Sequence, residues 1–263
     1  MTLVWHSLRR WRVLFGATAL VLVAFQFFMV LAARRLELSG QFQLLEAMLP
    51  AFMTQASNMM AASFTGFVLF GYSHPLVQLF LVATAIGLGS EPSAEIDTKF
   101  VDLLMSRPLP RATPINRTLI MLMVTTIGAM VLMLAATWSS LRLLAPASAR
   151  QPQPVVVVSL ASNLACLVLA WGGITVALAA VSRRRSTVAG ACGLLAFTMF
   201  VLDYVSRFWD AVAPIARVSP FHYFDPFGIM GGQPLATSNV LTLLGIFIAG
   251  GAIANIAYAR RDL

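Results

Sequence analysis

"VLFGATALVLVAFQFFMVLAA", Val13 to Ala33, contains no charged side chain and no proline. A hydrocarbon core of about 30 Å is crossed by roughly 20 apolar residues in a helix, so this stretch is long enough to span a bilayer. Lipid offers the backbone no hydrogen-bond partner, and the strict alternation of a barrel strand is absent, so a helix is expected. Five further stretches read the same way: about Phe67 to Gly89, Thr118 to Trp138, Val155 to Ala180, Thr187 to Val205 and Val240 to Tyr258. The second of them carries Gly71 and Pro75, which loosen the backbone and predict a kink.

The rest of the chain agrees with this frame. Its 263 residues are 59% hydrophobic and 11% charged, with a mean hydropathy of +0.83, a composition that water does not keep soluble. The expected fold is an all-α integral membrane protein, a single six-span unit over residues 1–263. The formal charge of +8 does not point to nucleic acid, because no basic stripe with interleaved aromatics lies outside the apolar segments. It sets orientation instead. With the N-terminus in the cytosol, twelve basic residues fall on the cytosolic side and six on the other, although Arg34 and Arg35 directly follow the first span; the excess predicts both termini in the cytosol. Cys166 and Cys192 sit inside apolar runs and encode neither a disulfide framework nor a CxxC site.

Three arginines precede Val13, as in a secretory leader. The apolar stretch exceeds the roughly 7 to 15 residues of a leader core and runs on into "LAARRLELSG", so an uncleaved first helix is expected. Ahead of it, in "LVWHSLRRWRVL", Leu3, Trp5, Leu8, Trp11 and Leu14 recur at helical spacing with arginines between them. That pattern suits either a helix lying in the membrane interface or a charged flank to the first span.

Several chemistries are excluded. A P-loop needs a lysine beside a glycine-rich turn, and the only lysine, Lys99 in "EIDTKF", has no glycine near it. His6, His74 and His222 lie in three separate regions without metal-ligand spacing, so no catalytic residue and no metal site is read. Ion-driven carriers place carboxylates near the bilayer midplane. Here the spans offer only Asp203, near the outer end of the fifth, which reads as a snorkelling or interfacial residue. Any work on a cargo then draws its energy from another subunit.

The longest polar interruption, "AEIDTKFVDLLMSRPLPR" from Ala94 to Arg111, lies in the connection between the second and third spans. Ile96, Phe100, Leu103 and Leu104 share one side of a helix, Glu95, Asp97, Lys99 and Asp102 supply polar neighbours, and Pro108 and Pro110 stop it. Such a helix either docks in a partner's groove or lies on the lipid headgroups; periodicity leaves the two even.

This stretch resembles the cytoplasmic signature of ABC-2 type transporter permeases: an acid, a Gly-Thr pair, a Leu-Leu pair and a Pro-x-x-Arg. Glu95, Leu103-Leu104 and Pro108 with Arg111 match it, while Lys99 and Phe100 stand where the family has Gly-Thr. "VSPFHYFDP", Val218 to Pro226, resembles the segment these permeases place between their fifth and sixth helices, and "YARRDL" resembles their usual ending. The resemblance implies an exporter's membrane subunit in the inner (plasma) membrane, paired with a second permease copy, identical or related. A separate cytoplasmic ATPase would bind ATP and Mg, and this chain itself would be no enzyme and hold no cofactor. It implies a coupling helix whose ATPase-facing surface comprises Glu95, Asp97, Lys99, Phe100, Asp102, Leu103 and Arg107, with an N-terminal interfacial helix through Trp5, Leu8 and Trp11. The alternative is an intramembrane assembly or maturation factor, or a scaffold without transport activity.

Three smaller features complete the reading. Between Arg207 and Asn239, the aromatics Phe208, Trp209, Phe221, Tyr223, Phe224 and Phe227 suit an interfacial belt or, by resemblance, short re-entrant helices; His222 and Asp225 alone fall short of the three or four ligands of a metal site. Small residues four apart, Ala189 with Gly193 and Gly245 with Ala249, allow close packing within the chain, and the resemblance places Ala189 and Gly193 at a dimer contact. Met121, Met123, Met130 and Met133 in the third span suit flexible packing more than a thioether metal path.

Overall fold

A computed structural model of the chain describes residues 12–42, 63–98, 110, 112–147 and 149–260. Among them there is no strand, and the long helices are α1 (Arg12–Leu38), α2 (Phe64–Ser73), α3 (Pro75–Gly89), α5 (Thr113–Leu144), α6 (Pro154–Val181), α7 (Arg185–Ser206) and α10 (Thr237–Ala259). The short ones are α4 (Glu91–Asp97), α8 (Ala213–Ala216) and α9 (Pro226–Met230). Taken together, α2 and α3 form one span, giving six apolar helical segments long enough to cross a membrane, the architecture of a multi-pass membrane protein.

Each apolar run read from the sequence lies inside one of these segments, and the helices extend past it at both ends or one. Hydropathy marks only the part that lipid must cover; the backbone ladder continues into polar turns until a cap or proline ends it. Thus α5 begins five residues before the expected Thr118, with Pro114 in its first turn, where a missing N–H costs nothing. Hydroxyls within the spans bond back to their own helix, as Thr125 Oγ1 donates to the Met121 carbonyl at 2.7 Å and Thr175 Oγ1 to the Trp171 carbonyl at 2.7 Å, so neither side chain leaves a bare donor in lipid.

The expected kink is a full break. His74 adopts φ −63°, ψ 129°, ending α2 and starting α3, because Pro75 lacks an N–H and its ring disfavours a helical residue before it. Gly71 lies inside α2 against α1: a Cβ there would meet Gln26 Oε1 at 2.9 Å and Met29 Cγ at 3.4 Å, so the Gln26 side chain would have to shift to admit it.

The fourth span, α6, is the hub. It packs against α3, α5, α7 and α10, and Trp171 at its middle is fully buried. Its closest neighbour is α10, where a Cβ on Gly173 would lie 2.7 Å from the Phe247 Cα and one on Gly250 would lie 2.4 Å from the Gly173 carbonyl oxygen. Backbone-to-backbone contact of this kind substitutes for a hydrophobic driving force that lipid does not supply. The sixth span therefore does not pack through Gly245 and Ala249 as expected: both are exposed, and nothing lies within 4 Å of a Cβ on Gly245. A four-residue spacing identified a smooth face but not the one facing α6. In α5, Met121, Met130 and Met133 are buried and Met123 is exposed, so three of the four methionines serve packing.

Two apolar clusters result. The main one surrounds α6 and includes Tyr72, Leu81, Leu122, Trp171 and Phe221. A smaller one joins the far ends of three spans through Val30, Ala33, Phe42, Phe64, Val68 and Leu141.

Candidate functional site

The end of the bundle where α3 meets α4 carries the densest set of buried polar groups. Ser90 closes α3 and opens α4 in a helical conformation, φ −81°, ψ 0°, with its N–H donating to the Ile86 carbonyl. Pro92 sits in the first turn of α4, where it is tolerated. The two helices are thus joined with no linker, and the joint has its own hydroxyl bonds: Ser90 Oγ donates to the Gly87 carbonyl and Ser93 Oγ to the Ser90 carbonyl, both at 2.9 Å.

Neighbouring spans hold this joint from three sides. Arg117, in the first turns of α5, donates from Nη2 to Glu95 Oε1; the pair is closed to solvent, with Arg117 at 8% and Glu95 at 3% exposure. Arg185, the first residue of α7, donates to Ser90 Oγ at 3.3 Å and to the Gly87 carbonyl at 3.2 Å. A cation on the last carbonyls of α3 also complements its macrodipole. From α6, Thr175 and Gly172 lie so close that a Cβ on Gly89 would meet Thr175 Cβ at 2.9 Å. A buried ion pair of this sort is expensive to break from one side, about 3–5 kcal/mol, so it fixes geometry more than it adds net stability.

From this grip only the tip of α4 emerges. Glu91 through Glu95 are buried, Ile96 is half-buried, and Asp97 and Thr98 are exposed. Of the expected coupling surface, Glu95 therefore faces inward onto Arg117, and Asp97 faces outward. Lys99, Phe100, Asp102, Leu103 and Arg107 lie outside the described residues, as do Trp5, Leu8 and Trp11 of the expected interfacial helix. On α7, Ala189 is half-buried against the main core, while nothing lies within 4 Å of a Cβ on Gly193. Arg117, Ser90 and Arg185 were not singled out from sequence. Arg117 is 22 positions from Glu95, and no spacing rule connects residues across a turn of chain that long.

The opposite end has a second polar cluster. Asp203, 7% exposed, accepts from Arg207 Nη2 at 2.8 Å and Nε at 3.3 Å, and its other oxygen lies 3.9 Å from His222 Nδ1. Asp203 is therefore buried, with the arginine one turn later folding back onto it. The Arg207 guanidinium also sits 5.3 Å above the Phe227 ring. The segment after α7 folds against the spans as short helices: Phe221 packs on Trp171 at 5.7 Å and on Phe200 at 5.4 Å between ring centroids, and Ser219 Oγ donates to the Met199 carbonyl at 3.1 Å. Phe208 and Trp209 are exposed. Asp203, Arg207, His222, Tyr223 and Asp225 line a cavity of about 450 Å³, and Asp225 spends Oδ1 on the Gly228 N–H at the start of α9. Among the described residues, no group of three or more His, Cys, Asp or Glu side chains is arranged to hold a metal ion. No family model, no curated protein and no solved structure matches the chain.

Proposed function

We propose that the chain is the membrane subunit of an ATP-binding cassette exporter, moved by a separate ATPase subunit that docks at the end where α4 emerges. The observation that carries this reading is the mounting of α4. A short helix is fused end to end to the second span, ion-paired to the third and linked through Ser90 and Gly87 to the fifth. Its exposed tip at Asp97 is therefore a handle on a rigid block: a push there displaces several spans together. A helix that only rested on lipid headgroups would need no buried ion pair behind it. In this reading the docking end is cytosolic, both termini lie on that side, the membrane is the inner (plasma) membrane, and α4 is the start of the coupling helix. The short helices after α7 cap the path on the far side, and a second permease copy completes it.

Affinity purification of the intact chain from its native membrane in mild detergent tests this. The expected result is retention of a protein with an ATP-binding cassette, and its loss when Asp97→Lys reverses the charge at the exposed tip while Asp225→Asn, at the other end, has no effect. Recovery of the folded chain with no ATPase under any condition would overturn the reading in favour of an assembly factor or scaffold.

A further inference from the structure

A groove between α1 and α5 is separate from both polar ends of the bundle. Phe15 and Leu22 of α1 line it with Val124, Gly128 and Leu132 of α5, and its volume is about 190 Å³. Thr18 and Thr125 bring hydroxyls to it. Thr18 lies six residues beyond Arg12 along α1, about 9 Å, and Thr125 eight residues beyond Arg117 along α5, about 12 Å. The two helices run in the same direction, since Gln26 and Thr137 meet farther along them. The groove therefore lies inside the hydrocarbon, in the half of the bilayer nearer α4.

We propose that this groove binds a membrane-dissolved amphiphile, a small apolar body carrying one hydroxyl. Thr18 carries the argument. Threonines elsewhere in the spans donate to the carbonyl four residues back, as Thr84, Thr118, Thr137 and Thr175 do. Thr18 is 4% exposed, and its Oγ1 is buried with no partner, an arrangement that costs stability until a partner arrives. The inner side of Thr18 offers little room for one: the void it shares with Thr84 and Thr126 is about 10 Å³, the lower limit for a single water. The groove side has the room. There Thr125 complements Thr18, because its Oγ1 has given its proton to the Met121 carbonyl at 2.7 Å and retains lone pairs that accept. A ligand hydroxyl can accept from Thr18 and donate to Thr125, a carbonyl can do only the first, and a bilayer acyl chain can do neither. The volume sets the size of the apolar body. An apolar cavity of roughly 150 Å³ takes benzene, so this groove takes one ring with a short alkyl chain, the chemistry of an alkylphenol.

The site does not depend on what drives the chain, so its test needs no ATPase; only its placement in the cytosolic leaflet rests on the orientation proposed above. The full chain in phosphatidylcholine liposomes is photolabelled with an alkylphenol bearing a diazirine, and the adducts are mapped by mass spectrometry. The expected result is saturable labelling at Ala19, Val124 and Gly128, with Ile248 and Ile253 on the exposed face of α10 labelled only in proportion to the probe. At equal membrane concentration, para-propylphenol should displace the probe about fivefold better than propylbenzene, the worth of one hydrogen bond. Thr18→Val, which keeps the shape and removes the hydroxyl, should erase that preference. Gly128→Leu should abolish saturable labelling by filling the groove, since a Cβ there meets nothing within 4 Å. Labelling that never saturates, equal displacement by the two competitors, or a preference that persists in Thr18→Val overturns the site. Disulfide trapping of Val124→Cys between two copies of the chain overturns it as well, because the second copy then covers the groove. Should Gly128→Leu fail to fold, the competition on the wild-type chain decides alone.

Discussion

The second span breaks at His74–Pro75 and gives way to α4 at Ser90–Glu91, and each joint has a proline in the first turn of the helix that follows. The two joints nevertheless differ in kind. At Ser90 the backbone stays helical, three other spans contact the joint, and a closed ion pair lies one turn beyond. At His74 the backbone is extended, its polar groups bond within the same span, and the neighbours reach it through a Tyr72–Thr137–Gln26 tie and through the Phe25 ring of α1, 5.2 Å from His74 between ring centroids. A proline sets where a span can be interrupted; the side chains around it set how many neighbouring spans hold the interruption and by what contacts.

The sharpest way to break this contrast is to attack the Ser90 joint. Arg117→Leu removes the guanidinium from a buried carboxylate and is expected to cost about 3–5 kcal/mol. Combining it with Glu95→Leu should regain most of the loss, measured by thermal unfolding in detergent; equal damage from the single and double variants would mean that the pair does not lock the joint. Next in size is the crossing behind it. Gly250→Leu drives a side chain into the Gly173 backbone and should cost about 1–3 kcal/mol, whereas Gly245→Leu on the open face should stay within about 0.5 kcal/mol. Similar losses at the two positions would show that α6 and α10 do not meet as described.

Smaller effects sharpen the His74 side. Tyr72→Phe deletes the hydroxyl from the Tyr72–Thr137–Gln26 tie and should lower stability by about 0.6 kcal/mol, the usual worth of a hydrogen bond between spans, measured by thermal unfolding in detergent. A loss as large as that of Arg117→Leu would make His74 as tightly held as Ser90. Arg207→Ala, at a partly exposed pair on the outer end, should cost no more than about 1 kcal/mol; its readout is unfolding at low and high salt, with the wild-type advantage shrinking as salt rises.

Much of the fold was legible because membrane spans announce themselves by composition: a run such as Val13 to Ala33 excludes charge along its whole length, and no tertiary knowledge is needed to see it. Pro75 marked the break for an equally local reason. What stayed hidden were residues whose meaning lies in their partners. Gln26 in "VAFQFFM" looks like one tolerated polar residue until α2 and α5 bring Tyr72 and Thr137 to it. Arg117 looked like one more cytosolic charge, and its burial against Glu95 follows from the helix crossing of α4 and α5. Asp203 was closer to reach, since Arg207 follows at helical spacing four residues on; the pairing rule for helix faces would have found it. The Gly245–Ala249 pair failed because spacing identifies a face without telling which neighbour it meets.

The central claim is that the exposed tip of α4 is where another protein pushes on the membrane body. A photo-reactive benzoylphenylalanine at position 97, with a control at exposed Trp209 on the opposite end, tests it in native membranes. The account predicts an ultraviolet-dependent adduct between position 97 and an ATP-binding protein, reached from the cytosolic face and absent at position 209. Adducts at position 97 to lipid alone, or access to that position from outside intact cells, would contradict it.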